Sequence, residues 1–485
     1  MEESLLGSES KDVDDFKGRV WAESKKLWRI AFPAMVSRVS QFGMFVITQA
    51  FIGHINQLEL AAYSLVQIFT VRFAQGILIG MSSATDTLCG QAFGAKQYHM
   101  MGIYLQRSWI INLTTTTVML PLFIFSSAIF KLLGQDEDIA NTAGHISLWF
   151  VPVLYSMVFH YTIQRYLQAQ LKNMIIGWLG AGSFAIHILL SWIFVSKMKL
   201  GIPGAMGTMI LSSWLVVIGE FVYIIGGWCP NTWRGFTLAA FVDLLPAVKL
   251  SISSGVMLCL ELWYNAVLVL LAGHMKNAAV EISAFSICLN IIAWEFMLCV
   301  GLLAATSVRV ANELGIGNAK AAKFSIKVAL STAVIIGVFF WILCLVFRQK
   351  IAYLFTSDEE VAKSVTSLSV LLAFSILLNG VQTILSGAAV GAGRQSTVAY
   401  INICCFYIIG VPVGVLLGYV AHLKAKGIWT GMILGIVMQS LVLGYVTSKT
   451  DWNEQVNKAS ERLNKWLLRS PNESDHNHTQ ERSDA

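Results

Sequence analysis

Charge is scarce in this sequence. Only 13% of its 485 residues are Asp, Glu, Lys or Arg, against about 25% in an ordinary soluble domain, so most of the chain cannot face water. The net charge is +6, but the basic residues form no block interleaved with aromatics, which leaves nucleic-acid binding without support. Cys89, Cys229, Cys259, Cys288, Cys299, Cys344, Cys404 and Cys405 lie mostly within apolar runs and lack the paired spacing of a zinc site or disulfide framework, so they read as small hydrophobes. There is no phosphate-binding glycine loop with its lysine, no metal-ligand spacing and no nucleophile motif. ATP-driven export and an enzymatic role therefore have nothing to stand on, and no cofactor is called for. The polar, acidic opening stretch lacks the basic lead, apolar core and cleavage site of a secretory signal, so the first apolar run is expected to act as the insertion signal.

Hydrophobic residues make up 56% of the chain, gathered into runs of membrane-crossing length, about 20 residues each. The runs lie near 27–50, 60–84, 104–130, 142–161, 174–196 and 204–226, then near 248–272, 281–305, 323–347, 361–386, 396–419 and 428–448. The fold class that follows is an all-α integral membrane protein of twelve transmembrane helices in two six-helix lobes. Its expected parts are a disordered N-tail over 1–25, a lobe over 26–227, an inter-lobe linker over 228–247, a second lobe over 248–449 and a C-tail over 450–485. Both tails carry too few apolar residues to fold alone. Roughly 23 of the 34 Lys and Arg residues fall on the side of the tails and the even-numbered loops, and roughly 9 on the other, which places the linker and both termini in the cytosol. Asn472 and Asn477 begin glycosylation patterns, and a cytosolic tail leaves both unused. Leu5 and Leu6 after Glu2 and Glu3 faintly match an acidic dileucine sorting signal.

The chain repeats itself. Gly53-His54-Ile55-Asn56 returns as Gly273-His274-Met275-Lys276-Asn277, Ala62-Tyr63-Ser64 as Ala284-Phe285-Ser286, and Gln91-Ala92-Phe93-Gly94 is answered by Asn312-Glu313-Leu314-Gly315. Gln135-Asp136-Glu137-Asp138-Ile139-Ala140 is answered by Ser357-Asp358-Glu359-Glu360-Val361-Ala362, and Gly201-Ile202-Pro203-Gly204 by Gly427-Ile428-Trp429-Thr430. Constant order at an offset near 220 implies two halves in the same orientation, related by a pseudo-twofold axis along the membrane normal.

Several runs carry a family resemblance. Leu88-Cys89-Gly90-Gln91-Ala92-Phe93-Gly94-Ala95, Gln106-Arg107-Ser108-Trp109, Leu167-Gln168-Ala169-Gln170 and Met257-Leu258-Cys259-Leu260-Glu261-Leu262-Trp263-Tyr264 are among them. Ser307-Val308-Arg309-Val310-Ala311-Asn312-Glu313-Leu314-Gly315, Ala399-Tyr400-Ile401-Asn402 and Gly427-Ile428-Trp429-Thr430-Gly431-Met432 extend them through the second half. Together they resemble plant multidrug and toxic compound extrusion (MATE) transporters of the DETOXIFICATION group. The resemblance implies secondary active efflux of organic solutes by alternating access of two lobes, usually coupled to H+. It also implies an acid at Glu261 belonging to a proton and substrate site in the C-terminal lobe. The run around Glu261 and Trp263 is most similar to vacuolar members that handle flavonoid conjugates. The vacuolar membrane is thereby favoured over the plasma membrane, with a monomer, a small organic solute, H+ and the bilayer as partners. The pattern departs at Asn379 and Asn265, where some relatives carry acids; neither asparagine titrates, so proton carriers are fewer here.

An acid inside a membrane costs at least about 2.5 kcal/mol on insertion scales and is functional by default. Glu261 in the seventh run and Glu295 in the eighth are therefore the proton-coupling candidates. Arg38 and Arg72 are the intramembrane cations of the first half, and the repeat offset sets them near the equivalents of Glu261 and Glu295. Opposite charges facing each other across one cavity is the expectation, with a local pair or snorkelling as the alternative. Substrate contacts are expected from Arg38, Gln41, Arg72, Trp263, Tyr264, Asn290, Asn379, Gln382 and Tyr407, with Gln67 and Gln164 as further polar candidates. Asp86 and Glu313 read as loop-capping or gate-closing residues just beyond their spans, Glu220 and His187 as lone polar residues, and Pro33 and Pro412 as kink sites. The rival function is a passive pathway for chloride or organic acids on the same scaffold.

Overall fold

The computed structural model describes residues 16–242, 244–272, 278–353 and 359–467. The loop motif 273–277, Ser357 and Asp358, Leu5 and Leu6, and the patterns at Asn472 and Asn477 lie outside the described residues, as does the side chain of Asn265.

Six helices form the first lobe: α1 (Phe16–Gly53), α2 (Gln57–Gly94), α3 (Tyr98–Ile124, continued by Ser126–Leu132), α4 (Glu137–Ala169), α5 (Met174–Lys197) and α6 (Gly201–Trp228). The second lobe repeats the order with α7 (Leu244–Ala272), α8 (Ala278–Ile316), α9 (Ala319–Val346), α10 (Glu359–Gly391), α11 (Gln395–Val420) and α12 (Lys424–Lys449). Among the described residues, 11 helices have membrane-crossing length and apolarity, and the bent α3 taken as one span brings the number to 12, as the apolar runs required. α3 bends by 57° one turn after Pro121, whose missing N–H leaves a carbonyl of the preceding turn without its helical donor. α1 runs through Pro33 as one helix, whereas Pro412 sits where two π-turns of α11 join.

Both tails depart from expectation. α1 begins at Phe16, inside the stretch expected to be disordered, because its first turns pack on the opposite lobe: Glu23, Leu27 and Ile30 are buried there. A further helix, α13 (Trp452–Leu467), follows α12. Alone it would be too polar to fold, but Trp452, Ala459 and Leu463 recur at helical spacing on one face and are buried on the protein. Trp452 and Ala459 join a second-lobe cluster with Val310, Leu314 and Ala388, while Leu463 joins a first-lobe cluster with Leu88, Ala92 and Leu105. The linker is shorter than expected and fastened: Gln106 donates to the carbonyl of Gly235 at 2.9 Å and Arg107 to those of Ala239 and Val242 at 3.1 and 2.7 Å.

The lobes meet on the half of the protein that carries both tails. Gly80 lies against the backbone of Gly255, Gly90 against Ala311, and Gly94 and Gly315 against each other and the carbonyls of Asn312 and Gln91. A β-carbon at Gly94 would collide with the Asn312 carbonyl oxygen, so glycine sets the closeness of this contact. Thr87 donates to the Val390 carbonyl at 2.6 Å and Arg462 to Gln91 Oε1 at 2.7 Å. Arg309 of α8 holds Glu23 of α1 across the interface, with Nε to Oε1 at 2.9 Å, and also pairs with Glu313 one turn along its own helix. Glu313 is thus buried inside α8, and Asp86 inside α2; neither caps a loop.

Removing one partner from such a buried cluster strands the remaining charge. Arg309→Gln should cost about 3–5 kcal/mol, read as a lowered melting temperature in detergent micelles. Replacing Glu23, Arg309 and Glu313 together by apolar residues of similar volume should recover most of the loss.

Candidate functional site

Above the tail-half seal, two ring pairs join the lobes. Phe42 of α1 meets Trp294 of α8 edge-on, with centroids 5.0 Å apart, and Phe73 of α2 stacks on Trp263 of α7 at 5.4 Å. Adding 221 to Phe42 and Phe73 gives Trp263 and Trp294, so the repeat exchanges one pair with the other. Trp263 and Trp294 are still 46% and 45% exposed. Among the described residues, no hydrogen bond or ring contact joins the lobes on the far side of these pairs. The cleft is therefore closed on the tail half and opens away from it.

In the second lobe, three helices converge on Glu261. Gln382 of α10 donates its amide to Glu261 Oε1 at 3.1 Å and lies 3.4 Å from the Ser386 hydroxyl. A π-turn over Ile403–Gly410 shifts the register of α11, letting Tyr407 donate to the Leu260 carbonyl at 2.8 Å while Phe406 stacks on Tyr264 at 4.5 Å. The Tyr264 hydroxyl reaches the Gly431 carbonyl at 3.4 Å. Glu295 is buried, receives the Cys299 thiol at 2.6 Å, and has its second oxygen without a partner among the described residues. Cys299 lies beside Gly380 of α10, so both acids address one stretch of that helix. Asn379, next to Gly380 and three residues before Gln382, is half-buried, and Asn290 is exposed.

The expected opposition of arginines and acids is not formed. Arg38 is buried in its own lobe, 3.5 Å from Gln41 Oε1 and 4.8 Å over the ring of Tyr161, whose hydroxyl takes the Gln75 amide at 2.8 Å. The cation–π contact and the amide satisfy Arg38 locally, which is the alternative the sequence left open. Arg72 is exposed and has no hydrogen bond or ion pair among the described residues.

Several charged groups escaped the sequence reading. Arg165 of α4 pairs with Asp86 at 2.7 Å, both nearly inaccessible. Glu220 is no lone acid: His160 Nδ1 lies 2.9 Å from its Oε1. His187 is a satisfied interior histidine, 3.1 Å from Thr48 and 3.2 Å from Ser212. Gln67 is buried in the π-turn of α2, and Gln164 is buried with its Oε1 unpartnered among the described residues. No group of three or more metal-ligating side chains occurs among the described residues.

Comparison with known proteins agrees with this architecture. The MatE family model matches residues 33–193 and again 254–416, two copies whose starts lie 221 residues apart, as the internal repeat requires. Protein DETOXIFICATION 24 and Protein DETOXIFICATION 25 of Arabidopsis thaliana are 51% and 52% identical, covering 98% and 97% of this chain and 96% of each relative. The crystal structure of the eukaryotic MATE transporter AtDTX14 superposes with a TM-score of 0.87 at 32% identity, over 91% of this chain and 99% of that one. A MATE transporter in a bent conformation shares the fold, with a TM-score of 0.80 at 17% identity over 95% of this chain and 99% of its own.

The bond between Glu261 and Gln382 sets an order of stability. Gln382→Leu removes the amide donor from a buried acceptor and should cost about 1–3 kcal/mol, whereas Glu261→Gln keeps an acceptor oxygen for that amide and should cost less. Melting temperatures of the purified variants in micelles test the order.

Proposed function

The chain belongs to the MATE family of multi-pass membrane transporters, and on that premise we propose that it exports small organic solutes from the cytosol by H+ antiport. What supports this reading most is Glu261, a carboxylate inside the membrane-spanning body whose hydrogen-bond donor, Gln382, sits on a different helix. Gln382 bonds a carboxylate more strongly than a protonated acid. Loss of charge at Glu261 thus loosens α7 from α10, and a proton becomes a change in packing.

The Lys and Arg bias assigns the tail half to the cytosol, so the open cleft faces the far compartment. There Glu261 loads a proton as solute leaves. The lobes then rock, the tail-half contacts part, and the proton is released to the cytosol as the next solute enters. Glu295, the second intramembrane acid of this lobe, is the auxiliary carrier. Trp263, Tyr407, Asn379 and Asn290 are the second-lobe solute contacts of this reading and Gln41 and Arg72 the first-lobe ones, while Tyr264, Gln382 and Arg38, buried in their own lobes, support them from behind. Half-exposed indole at Trp263 suits flat aromatic solutes such as flavonoid conjugates and other secondary metabolites or xenobiotics. We assign the protein to the vacuolar membrane, ahead of the plasma membrane, as a monomer. The exposed, partnerless Arg72 favours a rival reading, an anion pathway for chloride or organic acids.

Reconstituted proteoliposomes separate the two. Uptake of flavonoid conjugates or organic cations should collapse when the pH gradient is dissipated and fall at least tenfold in Glu261→Gln. Chloride flux that follows voltage and ignores the pH gradient would establish the anion pathway instead.

A further inference from the structure

One buried acid of the first lobe, Glu220, has no part in the proposed export cycle. Glu220 on α6 is wholly inaccessible, its Oε1 lies 2.9 Å from His160 Nδ1 on α4, and its Oε2 has no partner among the described residues. His160 also forms part of the wall of a cavity between α1, α4, α5 and α6, with Ser37, Gln41, Ser156 and Ser213 supplying polar groups and Met44 and Met209 among the apolar ones. The cavity measures about 30 Å³, enough to hold water, which needs roughly 10–15 Å³ and two or more polar partners. A buried acid with one oxygen bonded to histidine and the other unsatisfied is costly as a mere fixture, because the bare oxygen forfeits its hydration for nothing.

We propose that His160 and Glu220 form a proton-binding site in the N-terminal lobe, separate from Glu261, that exchanges protons through the cavity beside His160. With one proton, on His160 Nδ1 and shared toward Glu220 Oε1, the pair carries −1. A second proton entering from the cavity binds the remaining imidazole nitrogen of His160 while the Nδ1 proton passes to Glu220 Oε1, which makes the pair neutral. No bonds other than those to these two protons form or break. The other titratable groups on the helices packed here are otherwise engaged: Asp86 on α2 with Arg165 on α4, Arg107 on α3 with the carbonyls of Ala239 and Val242, and His187 on α5 with Thr48 and Ser212. Arg38 on α1 lies over Tyr161, the neighbour of His160, and Glu295 on α8 is held by Cys299 in the opposite lobe. Each lobe then has its own proton site. The use of this one in transport rests on the coupled export proposed above; its proton chemistry does not.

Difference infrared spectroscopy of the full-length protein in lipid nanodiscs, recorded on stepping the pH, tests the site without any solute. Glu220→Gln should delete one titrating carboxyl signal that Glu261→Gln retains, and His160→Gln should move the midpoint of that signal by about one pH unit or more. In proteoliposomes, Glu220→Gln should lower the protons moved per solute by one. Spectra of Glu220→Gln and His160→Gln that both match the wild type, with only their melting temperatures lowered, would reduce the pair to a structural bridge and overturn the proposal. If Glu261→Gln leaves gradient-driven uptake intact while Glu220→Gln still loses its signal, coupling at Glu261 fails and the N-terminal site stands.

Discussion

The protein's conformation turns on Arg309. Its guanidinium holds Glu23 of the first lobe and Glu313 of its own helix in a setting almost without water. Such a cluster is strong only while complete, which suits a contact that must be either fully made or fully released. Around it the glycines of α2, α7 and α8 bring the two lobes backbone to backbone. α13 lies over the same face with apolar residues in clusters of both lobes. Closure of the tail half is thus a sum of contacts, and the proposed rocking must break them together, with water resolvating the three charges as they separate.

What the seal leaves open is equally ordered. The exchanged pairs Phe42–Trp294 and Phe73–Trp263 divide the sealed half from the open one. They attach at equivalent positions on both sides of the pseudo-twofold axis, one pair edge-on and the other stacked. The polar chemistry does not share this symmetry. The second lobe presents Glu261 and Glu295 to α10, while the first buries Arg38 against Tyr161 and keeps its acids paired with Arg165 and His160. The two lobes thus share a frame and differ in charge, and under the proposed H+ antiport that difference is what would make their responses to a proton unlike.

Much of this was legible in the sequence because it is written in long-period patterns. Apolar runs point to twelve helices, and an offset near 220 points to two parallel lobes. Individual polar residues were less legible. By sequence the fourth run ends at residue 161, before Arg165, and Asp86 and Glu313 fall beyond their helices, because a charge normally stops a membrane span. Here Asp86 and Arg165 neutralise each other, and the helices continue through both. Pairing across 79 residues leaves no local signature. The opposition of Arg38 and Arg72 to the two acids failed for the same reason: an offset fixes where a backbone repeats, not which way a side chain is satisfied. The C-tail was read by composition alone, whereas its helical face finds partners only once both lobes are assembled.

The central claim is that protonation of the second-lobe carboxylate loosens the closed tail half. Spin labels at Lys96 and Lys320, exposed positions just past α2 and near the start of α9, report that opening by pulsed electron double resonance in lipid nanodiscs. Acidification should shift the distance distribution toward longer values in the otherwise unmodified chain, and Glu261→Gln, a mimic of the protonated acid, should give the long distances at every pH. A distribution indifferent to pH, or a Glu261→Gln variant that responds to pH like its parent, would contradict the account.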